Sequence, residues 1–224
     1  MVDFWERFEH LDGHWLVASS GVTVTELIDR LDAGECAVDL VAALNVEPLD
    51  VIAAVAADGM PHPLGPPLVR GTPRRQNLAE RLGESELSAL LPDMDRPARL
   101  ALAAGLLQIH DHWDASHEAA QKAEDLGERS VSAYWHGIAH RREPDAGNAS
   151  YWFRRVGRHP SFDELAGRSV LDFGQAAARF SPNGNWDPFA FIEFATKARG
   201  ADVELARGLQ WLEMHILIKD SVGG

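Results

Sequence analysis

Five of the chain's twelve prolines, Pro61, Pro63, Pro66, Pro67 and Pro73, fall within thirteen residues, interleaved with Gly65 and Gly71 and preceded by Gly59. Each proline removes an amide donor and fixes φ, so a regular helix cannot run through the segment. The spacing predicts an extended linker over 61–75 between a unit of residues 1–60 and a larger part of residues 76–224. Charge divides at the same place. Residues 1–60 hold twelve acidic side chains against only Arg7 and Arg30, a net charge of −10 out of −13 for all 224 residues.

An acidic chain of this kind is a poor match for nucleic acid or an anionic membrane as main partner. At 46% hydrophobic and 25% charged residues the composition is that of a globular protein able to bury a core without staples. The single cysteine, Cys36, excludes an internal disulfide or a thiolate metal cluster and reads as a structural thiol in a reducing compartment. Met1 to Arg7 is acidic and lacks a long apolar run, so neither a signal nor a transit peptide is expected. The longest uncharged apolar stretch, Leu100 to Ile109, is about half the roughly 20 residues that a membrane helix needs. A soluble, cytoplasmic protein is expected.

Within residues 1–60, Thr23-Val24-Thr25-Glu26 reads as a capping box opening a helix through Leu27, Ile28 and Leu31 that closes near Gly34. A second helix runs through Val38, Val41 and Leu44. Asn45-Val46-Glu47-Pro48 then makes a tight turn, with proline at the start of a third helix bearing Val51, Ile52 and Val55. The stretch Val41 to Ile52 resembles a helix-turn-helix, and residues 21–59 resemble a small antitoxin-associated bacterial domain of unknown function. That resemblance implies DNA recognition by the third helix. Pro48 to Asp58, however, contains no Lys, Arg, Asn, Gln, Ser or Thr with which to read bases or hold phosphates, so a packing or dimerisation module is the better reading.

In the larger part, Ala133 to His140 forms one helical stretch, Pro144 interrupts it, and Asp145 to Gly157 forms a second, which predicts a helix hairpin. A copy shifted by 33 residues sets Leu100, Ala104, Ser116, Ala119 and Ala123 opposite Ala133, Gly137, Ala149, Trp152 and Val156. Residues 98–160, above all Asp145-x-x-Asn148-Ala149-x-x-Trp152-x-x-Arg155, resemble a tetratricopeptide repeat of the Sel1 type. Ser161-Phe162-Asp163-Glu164 reads as a further capping box, and Asp187-Pro188 as an N-cap and first turn. Leu205, Leu209, Leu212, Ile216 and Leu217 keep helical spacing near the end. No alternating apolar run with a hairpin turn stands out, so the expected fold is all-α: a three-helix N-terminal unit plus an antiparallel helix-hairpin, tetratricopeptide-like repeat domain with divergent last helices.

Six of the ten histidines, His110, His112, His117, His136, His140 and His159, fall within fifty residues. His136 and His140, at i and i+4 on one helix face, together with His112, His117 or a carboxylate from Asp111, Asp114 or Glu118, are candidate ligands for one divalent metal. The glutamate that a zinc-protease helix carries after its first histidine is missing, and the competing reading is of histidines packed between helices. No nucleophile elbow, phosphate loop or dinucleotide fingerprint occurs, so no cofactor is implied and no reaction is named.

Arg141, Arg142, Arg154, Arg155 and Arg158 sit on the two arms of the expected hairpin, where guanidinium groups can grip carboxylates in pairs. The leading expectation is therefore a non-enzymatic scaffold or adaptor that binds a protein or peptide with acidic groups through this surface. The acidic N-terminal unit would dock on the same arginines or add a second surface, and a homo-oligomer is compatible with that. The alternative is a metal-dependent hydrolase or oxidoreductase using the cluster from His110 to His140.

Overall fold

The computed structural model describes residues 4–60 and 65–223; Pro61 and Pro63 of the expected linker lie outside the described residues. Among those residues there are thirteen α-helices and one two-stranded sheet, a mostly helical protein. After a 3₁₀ turn at Phe4–Arg7, β1 (Phe8–Leu11) and β2 (His14–Val17) pair antiparallel, Phe8 opposite Val17 and Leu11 opposite His14.

This hairpin corrects the all-α expectation. Its turn is Asp12-Gly13, with φ of 51° and 84°. Positive φ at both central residues matches the right-handed twist of the flanking strands, and Asp-Gly is a preferred pair for it. The strands are four residues each and bury only Val17 fully, so they carry too little alternation to read as a sheet.

Three helices follow as expected: α1 (Val24–Asp32), α2 (Ala37–Leu44) and α3 (Pro48–Gly59). Thr23 accepts from the Glu26 amide at 3.0 Å, and Val24, Leu27, Ile28 and Leu31 form the buried stripe of α1. Asn45 closes α2 at a φ of 51°, and α2 and α3 meet at 109°. That angle suits a helix-turn-helix. Yet α3 is buried at every residue from Asp50 to Ala56, between α1 and the helices that follow, and has no free face there to lay in a groove. The buried Asp50 carboxylate accepts from Arg7 at 2.7 Å, Ser19 at 3.0 Å and the Glu47 amide at 2.8 Å.

Residues 65–75 run without helix or strand, as repeated proline dictates, but they are fastened along their length. Arg207 donates to the Gly65 carbonyl, Gln210 to those of Pro66 and Pro67, and Arg142 to that of Pro67. The Arg70 amide donates to the Arg142 carbonyl, and Arg75 bridges Asp29 and Asp58 of the N-terminal unit. One apolar core continues from Val17 through α3 to the last helix. The N-terminal unit therefore joins the rest through all three of its helices, the 3₁₀ turn, the Asn77–Asp32 hydrogen bonds and the Arg75 clip, and not through the arginines around residue 150.

Two short helices, α4 (Leu78–Arg81) and α5 (Glu84–Leu90), lead to α6 (Arg96–Ile109), α7 (Trp113–Asp125), α8 (Val131–Arg142) and α9 (Ala146–Val156). α6 folds back on α7 and α8 on α9, and α8 also packs on α6 and α7. The 33-residue shift carries α6 onto α8 and α7 onto α9. Close approach depends on small residues: a Cβ on Gly137 would lie 2.5 Å from the Phe153 ring, and one on Gly105 2.5 Å from Trp135. Ser116 Oγ donates to the Ala104 carbonyl at 2.8 Å, tying α7 to α6.

The remaining helices are α10 (Ser161–Phe173), α11 (Gln175–Ala178), α12 (Pro188–Lys197) and α13 (Asp202–Gly223). Asp187 caps α12 through the Phe189 and Ala190 amides, as expected. The capping box expected at Ser161 does not form. Ser161 Oγ donates to Asp220 of α13 at 2.5 Å, and Glu164 pairs with Lys219, so tertiary partners take both side chains. No single helix among the described residues is long and apolar enough to cross a membrane.

Candidate functional site

Helix α8 is the centre of the larger part, buried on all sides from Ser132 to Arg142. A polar side chain on such a helix must find a partner inside the protein. Arg141, 1% exposed at its side chain, pairs at 2.5 Å with Glu213, which is 0% exposed, and its guanidinium lies 4.6 Å from the centre of the Phe191 ring. Arg142, also 0% exposed, donates to the carbonyls of Pro67 and Gln108 and to Asp111 at 2.5 Å; burial holds its pKa below the usual arginine value. Arg141 and Arg142 thus tie α8 to α13, to the proline strap and to the end of α6. This corrects their assignment to a binding surface.

The other three arginines face outward on or just after α9, whose Ala149, Trp152 and Phe153 point into the core. Arg155 pairs with Glu124 of α7, which holds its pKa above the usual value, and lies over the rings of Trp152 and Tyr151. Arg154 stands over Phe189 and has no ion pair among the described residues. Arg158 is 76% exposed and reaches Asp163 at 3.3 Å.

The six histidines do not all converge, and His159 packs apart from the others against Tyr134 and Phe162. His110 is buried under α3, with Nε2 2.8 Å from the Val55 carbonyl, and desolvation lowers its pKa. His112 Nε2 is 2.8 Å from the Arg75 carbonyl, well away from the other candidate ligands in its bonding. His117, His136 and His140 do come together between α7 and α8, with ring centres 4.6, 5.4 and 6.3 Å apart. His136 stacks on Trp152 at 3.9 Å, and His117 on Trp113 at 5.1 Å. His140 Nδ1 is 3.1 Å from Glu143, and Asn148 donates to the same ring at 3.2 Å.

These rings are packed as aromatics. Among the described residues no group of three His, Cys, Asp or Glu side chains is disposed to hold a metal ion. The metal-dependent hydrolase or oxidoreductase built on His112, His117, His136 and His140 therefore lacks its ligand set. His136 is completely buried and its ring has no carboxylate partner among the described residues; one backbone contact, to Ser132, favours the charged ring but is outweighed. Burial, followed by the neighbouring His117, His140 and Arg155, pushes its pKa down to about 3. Burial also lowers the pKa of His117.

Outside the histidines, an open groove of about 540 Å³ lies between α7 and α9, lined by Gln121, Glu124, Asp125, Arg129, Tyr151, Trp152 and Arg155. Arg155 and Glu124 cross it, Tyr151 is half exposed, and Arg129 enters it without an ion pair among the described residues. Sequence reading found Tyr151, Trp152 and Arg155 but missed Gln121, Glu124, Asp125 and Arg129. Their one local signal is the i, i+4 pair Gln121 and Asp125, hydrogen-bonded at 3.0 Å, which is indistinguishable from an ordinary solvated helix face.

No family model, curated protein or solved structure matches the chain.

Proposed function

We propose that the chain is a non-enzymatic interaction module, a scaffold or adaptor, whose α9 face receives an acidic or carboxylate-bearing protein segment. The single observation behind this reading is the division of α9: Ala149, Trp152 and Phe153 anchor it, while Tyr151, Arg154 and Arg155 are presented outward, Tyr151 and Arg155 lining the groove and Arg154 standing over Phe189 of α12. Arg154 and Arg129 supply cations with no ion pair among the described residues, the exposed Arg158 adds another just after α9 although it reaches Asp163, and Tyr151 offers an aromatic surface with a polar tip. The two successive hairpins, whose likeness to Sel1-type repeats rests on sequence, belong to an architecture that works through extended binding surfaces.

Labelled hexa-aspartate, titrated into the full chain at low and moderate salt, tests the proposal. Binding should fall steeply with salt, and Arg129→Glu with Arg154→Glu should weaken it by at least tenfold with the circular dichroism spectrum unchanged. Arg155 is left in place because its removal strands the mostly buried Glu124. Equal binding by the folded double variant would refute the assignment.

A further inference from the structure

We propose that His117, His136 and His140 form an acid-operated latch that holds α9 and its groove in place at neutral pH and releases them on acidification. This rests on the groove reading above and adds its regulation.

Trp152 links the two sites. It lines the groove beneath Arg155, whose guanidinium is 5.4 Å from its ring centre, and it stacks on His136 at 3.9 Å with planes 9° apart. The packing of Trp152 against α8 therefore depends on the flat imidazole of His136, which burial keeps neutral. The charged and titratable groups facing His136 are His117 from α7, His140 from α8 and Arg155 from α9, none of them a carboxylate. The carboxylates nearby serve other rings. Glu143 lies against His140 and Arg70, and Asp114 and Glu143 act on His117. His136, enclosed and faced by no carboxylate, resists taking a proton while the junction is closed.

An opened α8–α9 junction exposes His136 to water, where it takes a proton at the ordinary histidine value of about 6.5. The closed form, with its pKa near 3, does not. The sign follows directly: the closed state is favoured above about pH 6.5 and loses ground as pH falls below it. With those two values the opening equilibrium for this one residue rises about 30-fold between pH 7.5 and pH 5.

Amide exchange of the full chain at pH 7.5 and pH 5, corrected for intrinsic rates, reads the opening without any ligand. Protection across 149–156 should drop about 30-fold while that of α6 holds, and His136→Phe, which keeps a flat ring against Trp152 and cannot titrate, should remove most of the step. Hexa-aspartate should bind the wild type more weakly at pH 5 than at pH 7.5, and His136→Phe similarly at both. Unchanged α9 protection at pH 5, or a full step in His136→Phe, overturns the latch. If the peptide binds at neither pH while α9 still opens, the groove reading fails and the latch stands. Should His136→Phe not fold, the His136 ring resonances of the wild type decide: titration at about 6.5 with α9 closed refutes the proposal, and titration only as α9 opens supports it.

Discussion

Replacing Glu213 by alanine would leave the Arg141 guanidinium charged and alone at the centre of the protein. The pair is 1% and 0% exposed and is joined by one hydrogen bond; among the described residues Nε and Nη1 of Arg141 have no hydrogen-bond acceptor, and Tyr134 lies beside Glu213. Breaking a buried pair from one side typically costs about 3–5 kcal/mol, because the survivor keeps its desolvation penalty. Against a total stability of about 5–15 kcal/mol, that is a fifth or more. Arg141→Met, which strands the Glu213 carboxylate, should cost a similar amount. The double variant Arg141→Met with Glu213→Leu buries no charge and should lie within about 1 kcal/mol of the wild type or above it, giving a coupling of several kcal/mol. Urea unfolding followed by circular dichroism, with m-values compared, measures all four corners. An arginine reserved for a partner would instead lose about 0.5 kcal/mol or less on truncation. Two mild, additive single variants would refute the placement of Arg141 inside the fold.

Two further expectations concern glycines. Gly137→Leu drives a side chain into the Phe153 ring, already 2.5 Å from where a Cβ would sit, and should destabilise the protein by about 3 kcal/mol or prevent α8 and α9 from closing, read as a lower urea midpoint. Gly13→Val forces a β-branched residue to a φ of +84° and should fray the hairpin at a cost of about 1–2 kcal/mol, visible as faster amide exchange confined to residues 8–17.

The helix ends were the most legible part of the fold because their chemistry is local. Thr23, Pro48 and Asp187-Pro188 satisfy orphan amides or preset φ within four residues, and each stands where the sequence puts it. Ser161 carries the same signal, yet its hydroxyl goes to Asp220, 59 residues away. The arginines diverge for the same reason. Arg141, Arg142, Arg154 and Arg155 look alike in sequence, and only the burial of α8 on every side, with Glu213, Pro67 and Gln108 as distant acceptors, separates the inner pair from the outer one. The i, i+4 spacing of His136 and His140 did place two rings on one face. Whether such rings ligate or stack depends on Trp113 and Trp152, supplied by α7 and α9.

The proline strap explains why binding is assigned to the outer face of the hairpins. Stacked helix hairpins create extended concave surfaces for ligands. Here the end of α8 already holds an extended segment. The carbonyls of Gly65, Pro66 and Pro67 accept from Arg207, Gln210 and Arg142, while α13 lies against α6 and reaches α8 through Glu213. Side chains that could read the backbone of a foreign peptide are thereby engaged with the chain's own. Proline suits the strap because its missing amide leaves no donor to satisfy, so carbonyl acceptors alone fasten Pro66 and Pro67. A partner entering that surface would have to displace the strap and unpair Arg142, whereas one docking on the α9 face would meet Arg154 and Arg129, which have no ion pair among the described residues. On the proposed reading, this energetic asymmetry between the two faces, more than the number of arginines, would direct an acidic ligand outward.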